Sequence, residues 1–467
     1  MPPKFGTSGL RGLVTELTSE LVMSYTASFM RSCATDNVVH VGWDLRPSSP
    51  QIAQAVIAAV QAQGAQVKVA GAVPTPALAL AASQAKQGAI MITGSHIPAD
   101  RNGLKFYTTQ GEISKADEAA ILAGLTAPQA AQPLTDVSIA ADPAAVQAYT
   151  DRYVTGFGPK ALNGLTIGVY QHSSVARDVM LDVITALGGT PIALGRTDHF
   201  TPVDTEAVDP EARAQFQTWC QTHALDALIS TDGDADRPMV TDHTGQVIVG
   251  DVLGALTAQA LGADVLCTPI SSNTMISQMA AFSDIHLTRI GSPYVIAAME
   301  AVMAHDPAAK VVGYEANGGF LLGFTAQGPA GTLAPLMTRD CLLPILCSLH
   351  LAQNTGKTLA EVVTALPHRF TAANRLTEIP TAASAAILQT LITDNTARAA
   401  FFDIDSAETE TDLTDGLRVS FANGDILHLR PSGNAPELRC YAEADSRDRA
   451  EALVARHLQR IRDKISL

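Results

Sequence analysis

Basic residues are scarce in this chain. Of 467 residues only 31 are Lys or Arg, against 46 Asp or Glu, for a formal net charge of −15 with no block of basic residues. Nucleic-acid binding is excluded on that ground, because affinity for a phosphate backbone needs a cationic face. An anionic small substrate stays open, provided that cations gather locally against the unfavourable overall field. Cysteine is sparse too. Cys33, Cys220, Cys267, Cys341, Cys347 and Cys440 form no C-x-x-C pair and no zinc spacing, and they read as reduced thiols of a cytoplasmic protein. Long hydrophobic runs are missing. The longest apolar stretch, Leu333 to Leu351, is broken by Arg339, Asp340, Pro344 and His350 and predicts a buried helix, not a membrane span. The first nine residues lack the apolar core of a signal peptide.

What is present describes a globular chain: 47% apolar and 16% charged residues. Its length exceeds what one hydrophobic core serves, so several domains are expected. Short apolar runs alternate with alanine-rich helical stretches, the pattern of α/β layers. Val38–Val41 predicts a strand, Gln51–Gln63 a helix, Gln66–Val69 a strand, and Gly88–Ile92 a strand leading into a polar loop. A Pro/Gln/Thr-rich patch, Thr126–Thr135, predicts a surface connection. Strands are expected again at Leu165–Tyr170, Leu225–Ser230, Val265–Thr268 and Lys310–Gly313. After Pro367 the pattern becomes a helix (Ala382–Asp394), hairpin strands and a last helix from Arg447. The divisions expected are 1–148, 149–249, 250–367 and 368–467. In each of the first three units an apolar strand ends in a loop of polar or acidic groups. Ligands of open α/β sheets gather at the carboxyl ends of strands, so these loops are expected to share one cleft.

The strongest of them is Ser230-Thr-Asp-Gly-Asp-Ala-Asp-Arg237. Asp232, Asp234 and Asp236 can converge on one hard cation, and such crowding of negative charge is costly without one. It is no EF-hand, since Arg237 stands where glycine is needed and His243 where glutamate is. The segment Thr93–Tyr107 holds Ser95 in a Gly-Ser turn beside His96, readable as a nucleophile or as a plain turn. No Gly-x-Ser-x-Gly elbow surrounds it. In Gly313-Tyr-Glu-Ala-Asn-Gly-Gly319, Glu315 and Asn317 are expected to point the same way from an extended loop, suiting vicinal sugar hydroxyls; an ordinary strand-end turn is the alternative. Arg430-Pro-Ser-Gly-Asn-Ala-Pro-Glu-Leu-Arg439, between strands Ile426–Leu429 and Leu438–Ala442, makes either an anion-binding concavity or a simple hairpin turn. The N-terminal Phe5-Gly-Thr-Ser-Gly-Leu-Arg-Gly12 is glycine-rich without the Lys-Ser/Thr ending of a P-loop.

Taken in order, these five segments resemble the α-D-phosphohexomutase family of phosphomannomutases, phosphoglucomutases and phosphoglucosamine mutases. The likeness runs over nearly the whole chain. It implies three related α/β domains with mixed sheets and a C-terminal α+β domain of the TATA-box-binding-protein-like kind, around a central cleft. It implies that Ser95 carries a phosphoryl group, beside His96, and that Asp232, Asp234 and Asp236 hold Mg2+ together with an oxygen of that phosphoserine. Arg11, Lys105 and Arg237 would surround the reacting phosphate, with Lys105 as a candidate general acid or base. Glu315 and Asn317 would select sugar hydroxyls. Arg430, Ser432, Gly433, Asn434 and Arg439 would grip the other phosphate. The partners implied are hexose phosphates, with a hexose 1,6-bisphosphate as intermediate and activator, for a monomer or homodimer.

The chain departs from the family pattern at Ile97 (commonly Asn), Gly94 (commonly Ala), Asn317 (commonly Ser), Gly319 (His in some members) and Gly291-Ser292-Pro293-Tyr294. These changes leave the reaction class and loosen the choice of sugar. The Thr-Gly-Ser-His-Ile-Pro form is similar to bacterial phosphomannomutases, which places mannose before glucose and glucosamine last. Two rival readings stand beside the mutase: a non-catalytic sugar-phosphate binder, and a hydrolase using an aspartate of the acidic loop as nucleophile.

Overall fold

A computed structural model describes residues 3–125, 141–431 and 437–465. The apolar runs of the sequence become strands of four sheets. The first contains β1 (Lys4–Phe5), β2 (Leu10–Leu13), β3 (Val38–Trp43), β4 (Gln66–Ala72), β5 (Gly88–Ile92), β6 (Arg101–Thr108) and β7 (Gly111–Glu112), in the spatial order β1-β2-β6-β5-β3-β4 with β7 beside β6. The second contains β8 (Thr166–His172), β9 (Thr190–Arg196), β10 (Ala227–Thr231), β11 (Pro238–Thr241) and β12 (Val247–Ile248). The third is built from β13 (Val265–Pro269), β14 (Asp284–Thr288), β15 (Val311–Tyr314), β16 (Phe320–Leu322) and, beyond a small ribbon of β17 (Ala326–Gln327) and β18 (Thr332–Leu333), β19 (Leu336–Asp340). The fourth is antiparallel throughout: β20 (Phe370–Leu376), β21 (Glu408–Asp412), β22 (Leu417–Phe421), β23 (Ile426–Pro431) and β24 (Leu438–Ala444), in the order β20-β24-β23-β22-β21.

One pattern repeats in the three mixed sheets. A parallel triplet, β4-β3-β5, β9-β8-β10 or β14-β13-β15, is followed by an antiparallel return strand, β6, β11 or β16. The connection between the third parallel strand and its return strand is the polar loop picked out in the sequence: residues 93–100, 232–237 and 315–319. β5, β10 and β15 are buried along their whole length, as continuous apolar strands covered on both faces should be. Each therefore anchors its loop rigidly. The repeat is one of topology, with no close sequence repeat beneath it.

Helices cover the sheets, and their ends follow ordinary capping chemistry. Thr18 accepts from the Leu21 amide ahead of helix Ser19–Ser32, and Ser114 and Thr358 form reciprocal capping boxes with Asp117 and Glu361. The largest apolar cluster joins the second and third sheets, with Ile167 and Ile229 in the same core as Leu266 and Val312. The first and fourth sheets each have a core of their own.

Several expectations need correction. Leu333–Leu351 is not one helix: β18 and β19 take its first part, and the buried helix is Leu342–Thr355. An apolar run alone does not distinguish a buried strand from a buried helix. The segment after Ile92 is not a loop up to Tyr107, because β6 begins at Arg101 and carries Lys105. Helix Ala144–Phe157 runs across the division drawn at 148. The patch 126–135 lies outside the described residues.

Candidate active site

The three repeated loops, the N-terminal hairpin and the fourth sheet open onto one cleft of about 700 Å³ of empty volume. Arg11, Ser95, His96, Lys105, Arg237, Glu315, Asn317, Arg430 and Arg439 all line it. Ser432, Gly433 and Asn434 lie outside the described residues.

Ser95 sits in the left-handed region, with φ of 54°. That conformation costs a residue with a side chain roughly 1–2 kcal/mol, and it persists only where neighbours over-determine it. Here they do. The Ser95 amide donates to Thr93 Oγ1 at 2.7 Å, and Arg46 Nη2 donates to the Ser95 carbonyl at 2.9 Å. The same buried guanidinium donates through Nη1 to Pro98 and Arg101 carbonyls and through Nη2 to that of Ile97. Its own charge is balanced by Asp44 at 3.1 Å, whose second contacts are Thr93 and Ser49 hydroxyls. Position 94 has to be glycine for this, since a Cβ there would stand 2.5 Å from the Arg46 guanidinium carbon.

Across the gap lies the acidic loop. The Ser95 hydroxyl donates to Asp232 Oδ2 at 2.6 Å. Asp232, Asp234 and Asp236 are buried, with one oxygen of each within 4.8 Å of the others. Thr75 pins the loop from the first unit, its hydroxyl donating to Asp234 Oδ2 at 2.6 Å and its amide to the Asp234 carbonyl at 2.9 Å. Lys105 Nζ donates to Asp234 Oδ2 at 2.6 Å and to Asp236 Oδ2 at 2.5 Å. Arg237 stands further off, its Nε 3.9 Å from Asp232 and 3.8 Å from Asp236. Burial, then repulsion from Asp234 and Asp236, holds the Asp232 carboxyl well above its usual range. For Asp234 burial acts the same way, but the Lys105 ammonium outweighs it and the net direction is down. Asp234 Oδ1 and Asp236 Oδ1 are buried without a hydrogen-bond partner. Three hard oxygen donors, two of them with unused buried oxygens, fit a divalent cation such as Mg2+.

His96 Nδ1 is 3.4 Å from Ser95 Oγ, and burial followed by the nearby Arg237 charge keeps the imidazole neutral at pH 7. Arg11 donates to the Thr93 carbonyl at 2.8 Å. Burial is the main reason that its guanidinium falls to about 10, which leaves it charged at neutral pH.

On the third sheet, Glu315 and Asn317 belong to a tight hairpin, not an extended loop: the Gly318 amide donates to the Glu315 carbonyl at 2.8 Å, and the Asn317 side-chain oxygen accepts from the Gly319 amide at 3.0 Å. Both residues still face the cleft. At its far side Arg430 pairs with Asp415 at 2.9 Å and Arg439 with Glu206 at 3.0 Å.

Residues that no motif announced complete the site. Asp44 and Arg46 hold the serine loop. Asp204 and Glu206, from the segment before helix Pro210–His223, meet Arg375 and Arg439 of the fourth sheet. Arg339 of β19 reaches both Asp236 and Glu315. The Asp-x-Arg pair directly after buried strand β3 was a usable signal. Arg339 in an apolar run offered only the anomaly of a charge in a core segment.

Known families account for this geometry. Residues 2–132 match the model of the phosphoglucomutase/phosphomannomutase α/β/α domain I, residues 242–370 that of domain III, and residues 374–459 that of the C-terminal domain. A phosphomannomutase of Salmonella muenchen is 43% identical, over 99% of this chain and 96% of its own. The chain belongs to the α-D-phosphohexomutase family. Members are isomerases. A phosphomannomutase of Sinorhizobium fredii is likewise 43% identical, with 98% of both chains covered. Among solved structures, a phosphoglucomutase/phosphomannomutase family protein of Burkholderia thailandensis superposes with a TM-score of 0.73 at 20% identity, over 98% of this chain and 96% of that one, a likeness of fold. Among the described residues of this phosphohexomutase no helix is long and apolar enough to cross a membrane.

Proposed function

We propose that the chain is a phosphomannomutase of the cytoplasm, interconverting mannose 6-phosphate and mannose 1-phosphate through a phosphoserine at Ser95. One observation carries the reading: Ser95 Oγ lies 2.6 Å from Asp232 in a buried acidic cluster, at the mouth of a cleft whose other walls present Glu315, Arg430 and Arg439. The 43% identity to phosphomannomutases over almost the whole chain supports mannose.

The residues divide the work by charge. Asp232, Asp234 and Asp236, with a phosphoserine oxygen, would hold Mg2+, which when bound supplies charge neutralisation at the transferring phosphoryl group. Arg11, Lys105 and Arg237 stand where the three phosphoryl oxygens carry negative charge, and phosphoryl transfer depends mainly on such positioning and electrostatics. The free sugar hydroxyl attacks phosphorus and the bond to Ser95 Oγ breaks; Lys105, the candidate general acid or base, gives its ammonium proton to the departing Oγ and takes up the proton that the sugar hydroxyl releases. The product is a hexose 1,6-bisphosphate, which turns over in the cleft so that Ser95 Oγ attacks its other phosphorus; the bond from that phosphorus to the sugar oxygen breaks, and the serine proton passes to the departing sugar oxygen. His96, neutral and 3.4 Å from Ser95 Oγ, and Asp232, which takes the hydroxyl hydrogen bond, orient that attack. Arg430 and Arg439, with Ser432, Gly433 and Asn434, grip the phosphate not undergoing transfer. Glu315 and Asn317 meet the sugar hydroxyls in both orientations. Monomer or homodimer, one chain contains every group named.

The test is Ser95→Ala assayed with mannose 1-phosphate, Mg2+ and a trace of hexose 1,6-bisphosphate. A loss of more than about a thousandfold is expected, with intact-mass spectra losing a species about 80 Da heavier. Wild-type turnover in that variant, or release of inorganic phosphate at the rate of substrate loss, overturns the reading.

A further inference from the structure

The fourth sheet meets the third unit through a turn that no motif singled out. Residues 413–416 join β21 to β22, and two of them reach the segment that leads into helix Ser292–His305. Arg289 Nε donates to the Thr414 carbonyl at 3.1 Å, and the Ile290 amide donates to Asp415 Oδ2 at 2.9 Å. The same Oδ2 accepts from Arg430 Nε, also at 2.9 Å. Ile290, Gly291 and Arg430 line the cleft, and Asp415 does not.

The turn is fixed on several sides. The Thr414 amide donates to Asp412 Oδ1 at 2.7 Å, and the Asp415 carbonyl accepts from His428 Nε2 of β23 at 2.5 Å. Gly416 has φ of 92°, and a Cβ there would stand 2.4 Å from the Leu429 carbonyl oxygen, so glycine lets the turn lie close to the strand that ends in Arg430. The segment opposite is fixed as well. At Gly291, with φ of 134°, a Cβ would stand 2.5 Å from Thr7 Cγ2 of the N-terminal segment. The Arg430 and Asp415 side chains are only 11% and 19% exposed, so water screens their ion pair little.

We infer that Asp415 is a positioning residue for the phosphate not undergoing transfer: fastened to the Ile290 amide, its carboxylate holds Arg430 by Nε and aims the Nη donors of that guanidinium at the phosphate. A guanidinium carries its N–H donors in one rigid plane, so fixing Nε directs the others. A free arginine loses rotamer freedom when it grips an anion; here much of that freedom is gone before the phosphate arrives. The charge of Asp415 works the other way, by repelling the phosphate, so aiming and repulsion predict opposite signs for its removal. This rests on the reading of the chain as a hexose phosphate mutase with Arg430 against a substrate phosphate.

A double-mutant cycle on the full-length protein tests it, with Asp415→Ala, Arg430→Ala and the two combined. Mannose 6-phosphate is titrated by calorimetry without Mg2+ or bisphosphate, so that binding is read apart from turnover. Asp415→Ala should raise Kd about tenfold and Arg430→Ala about 30-fold, the scale of charge-assisted hydrogen bonds. The combined variant should bind no worse than Arg430→Ala, because Asp415 acts through that side chain. In steady-state assays Asp415→Ala should raise KM about tenfold and change kcat less than about threefold. Additive losses, the mark of a turn that matters only for folding, overturn the proposal. So does an unchanged or lowered Kd in Asp415→Ala. If that variant does not fold, Asp415→Asn, which keeps the shape, takes its place in the cycle with a rise of at least about threefold. A wild type that binds mannose 6-phosphate without isomerising it in the full assay refutes the mutase reading, and the cycle still decides the role of Asp415. A wild type that binds none overturns both.

Discussion

Ser95 and Asp232 meet at 2.6 Å across 137 positions of chain, hydroxyl donating to carboxylate. Neither loop would hold that contact alone. The serine loop hangs on Arg46 and Asp44, and the acidic loop hangs on Thr75. Phe200, from the second unit, stacks at 4.1 Å on the Arg46 guanidinium and closes the joint.

Arg46 supplies the first prediction. One guanidinium serves four loop carbonyls and Asp44. In Arg46→Lys a single ammonium has three donors for the same acceptors. Stability should fall by about 3 kcal/mol, as for a buried ion pair losing its geometry, and kcat should drop more than KM rises. Urea unfolding and steady-state rates are the measurements. An unchanged kcat would show that the loop holds its own shape.

Lys105 gives the second. Its ammonium is the nearest cation to Asp234 and Asp236. Lys105→Met leaves three crowded buried carboxylates with less positive charge, a cost of about 3–5 kcal/mol in the absence of a divalent ion. The same change removes repulsion toward a dication. Activity should be lost while Mg2+ binds more tightly by titration calorimetry, and millimolar Mg2+ should restore the melting temperature. Weaker Mg2+ binding would contradict this account.

The third concerns acid. His172 and His428 are buried and lowered to about 4, in each case chiefly by burial. A histidine that is neutral when folded gains a proton on unfolding below its ordinary value of about 6.5, so stability falls as pH drops from there toward 4. Between pH 7 and pH 5 each costs about 2 kcal/mol by linkage. His428→Gln should flatten the pH dependence of the unfolding free energy in that interval, measured at pH 7, 6 and 5. An unaltered slope would refute the burial argument for this side chain.

Asp340 yields the fourth. It is a buried carboxylate that accepts from Tyr149 at 2.5 Å, from Tyr153, and from the Leu342 amide at 3.0 Å. The tyrosines belong to helix Ala144–Phe157 and the aspartate to β19, so the contact ties helix to third sheet. Tyr149→Phe withdraws one donor from a buried anion and should cost about 1–3 kcal/mol in thermal or urea unfolding, with turnover little changed. Full stability in this variant would mean that Tyr153 and the amide suffice.

Much of the architecture was readable from patterns local in sequence. β5 fell at Gly88–Ile92 as expected, and the helix from Arg447 began where its pattern began. Such runs are legible because a strand covered on both faces must be apolar throughout. Reading failed where two structures share one composition, as in Leu333–Leu351, half strand and half helix. It failed again at Lys105, expected on a loop, since β6 is a strand that turns this one lysine to the cleft.

By itself the amino-acid order determined which chemistry the chain can offer: alternating aspartates, a serine in a glycine turn, and an arginine loop. Spacing along the chain sets which side chains leave a strand end together. Only the tertiary structure decided which of these offers meet. The Arg46 cradle, the Asp204 and Glu206 contacts with the fourth sheet, and the Arg339 bridge join positions tens to hundreds of residues apart. Their partners are chosen by how four sheets pack around one cleft, and a lone charged residue in a sequence cannot say which buried charge it will face.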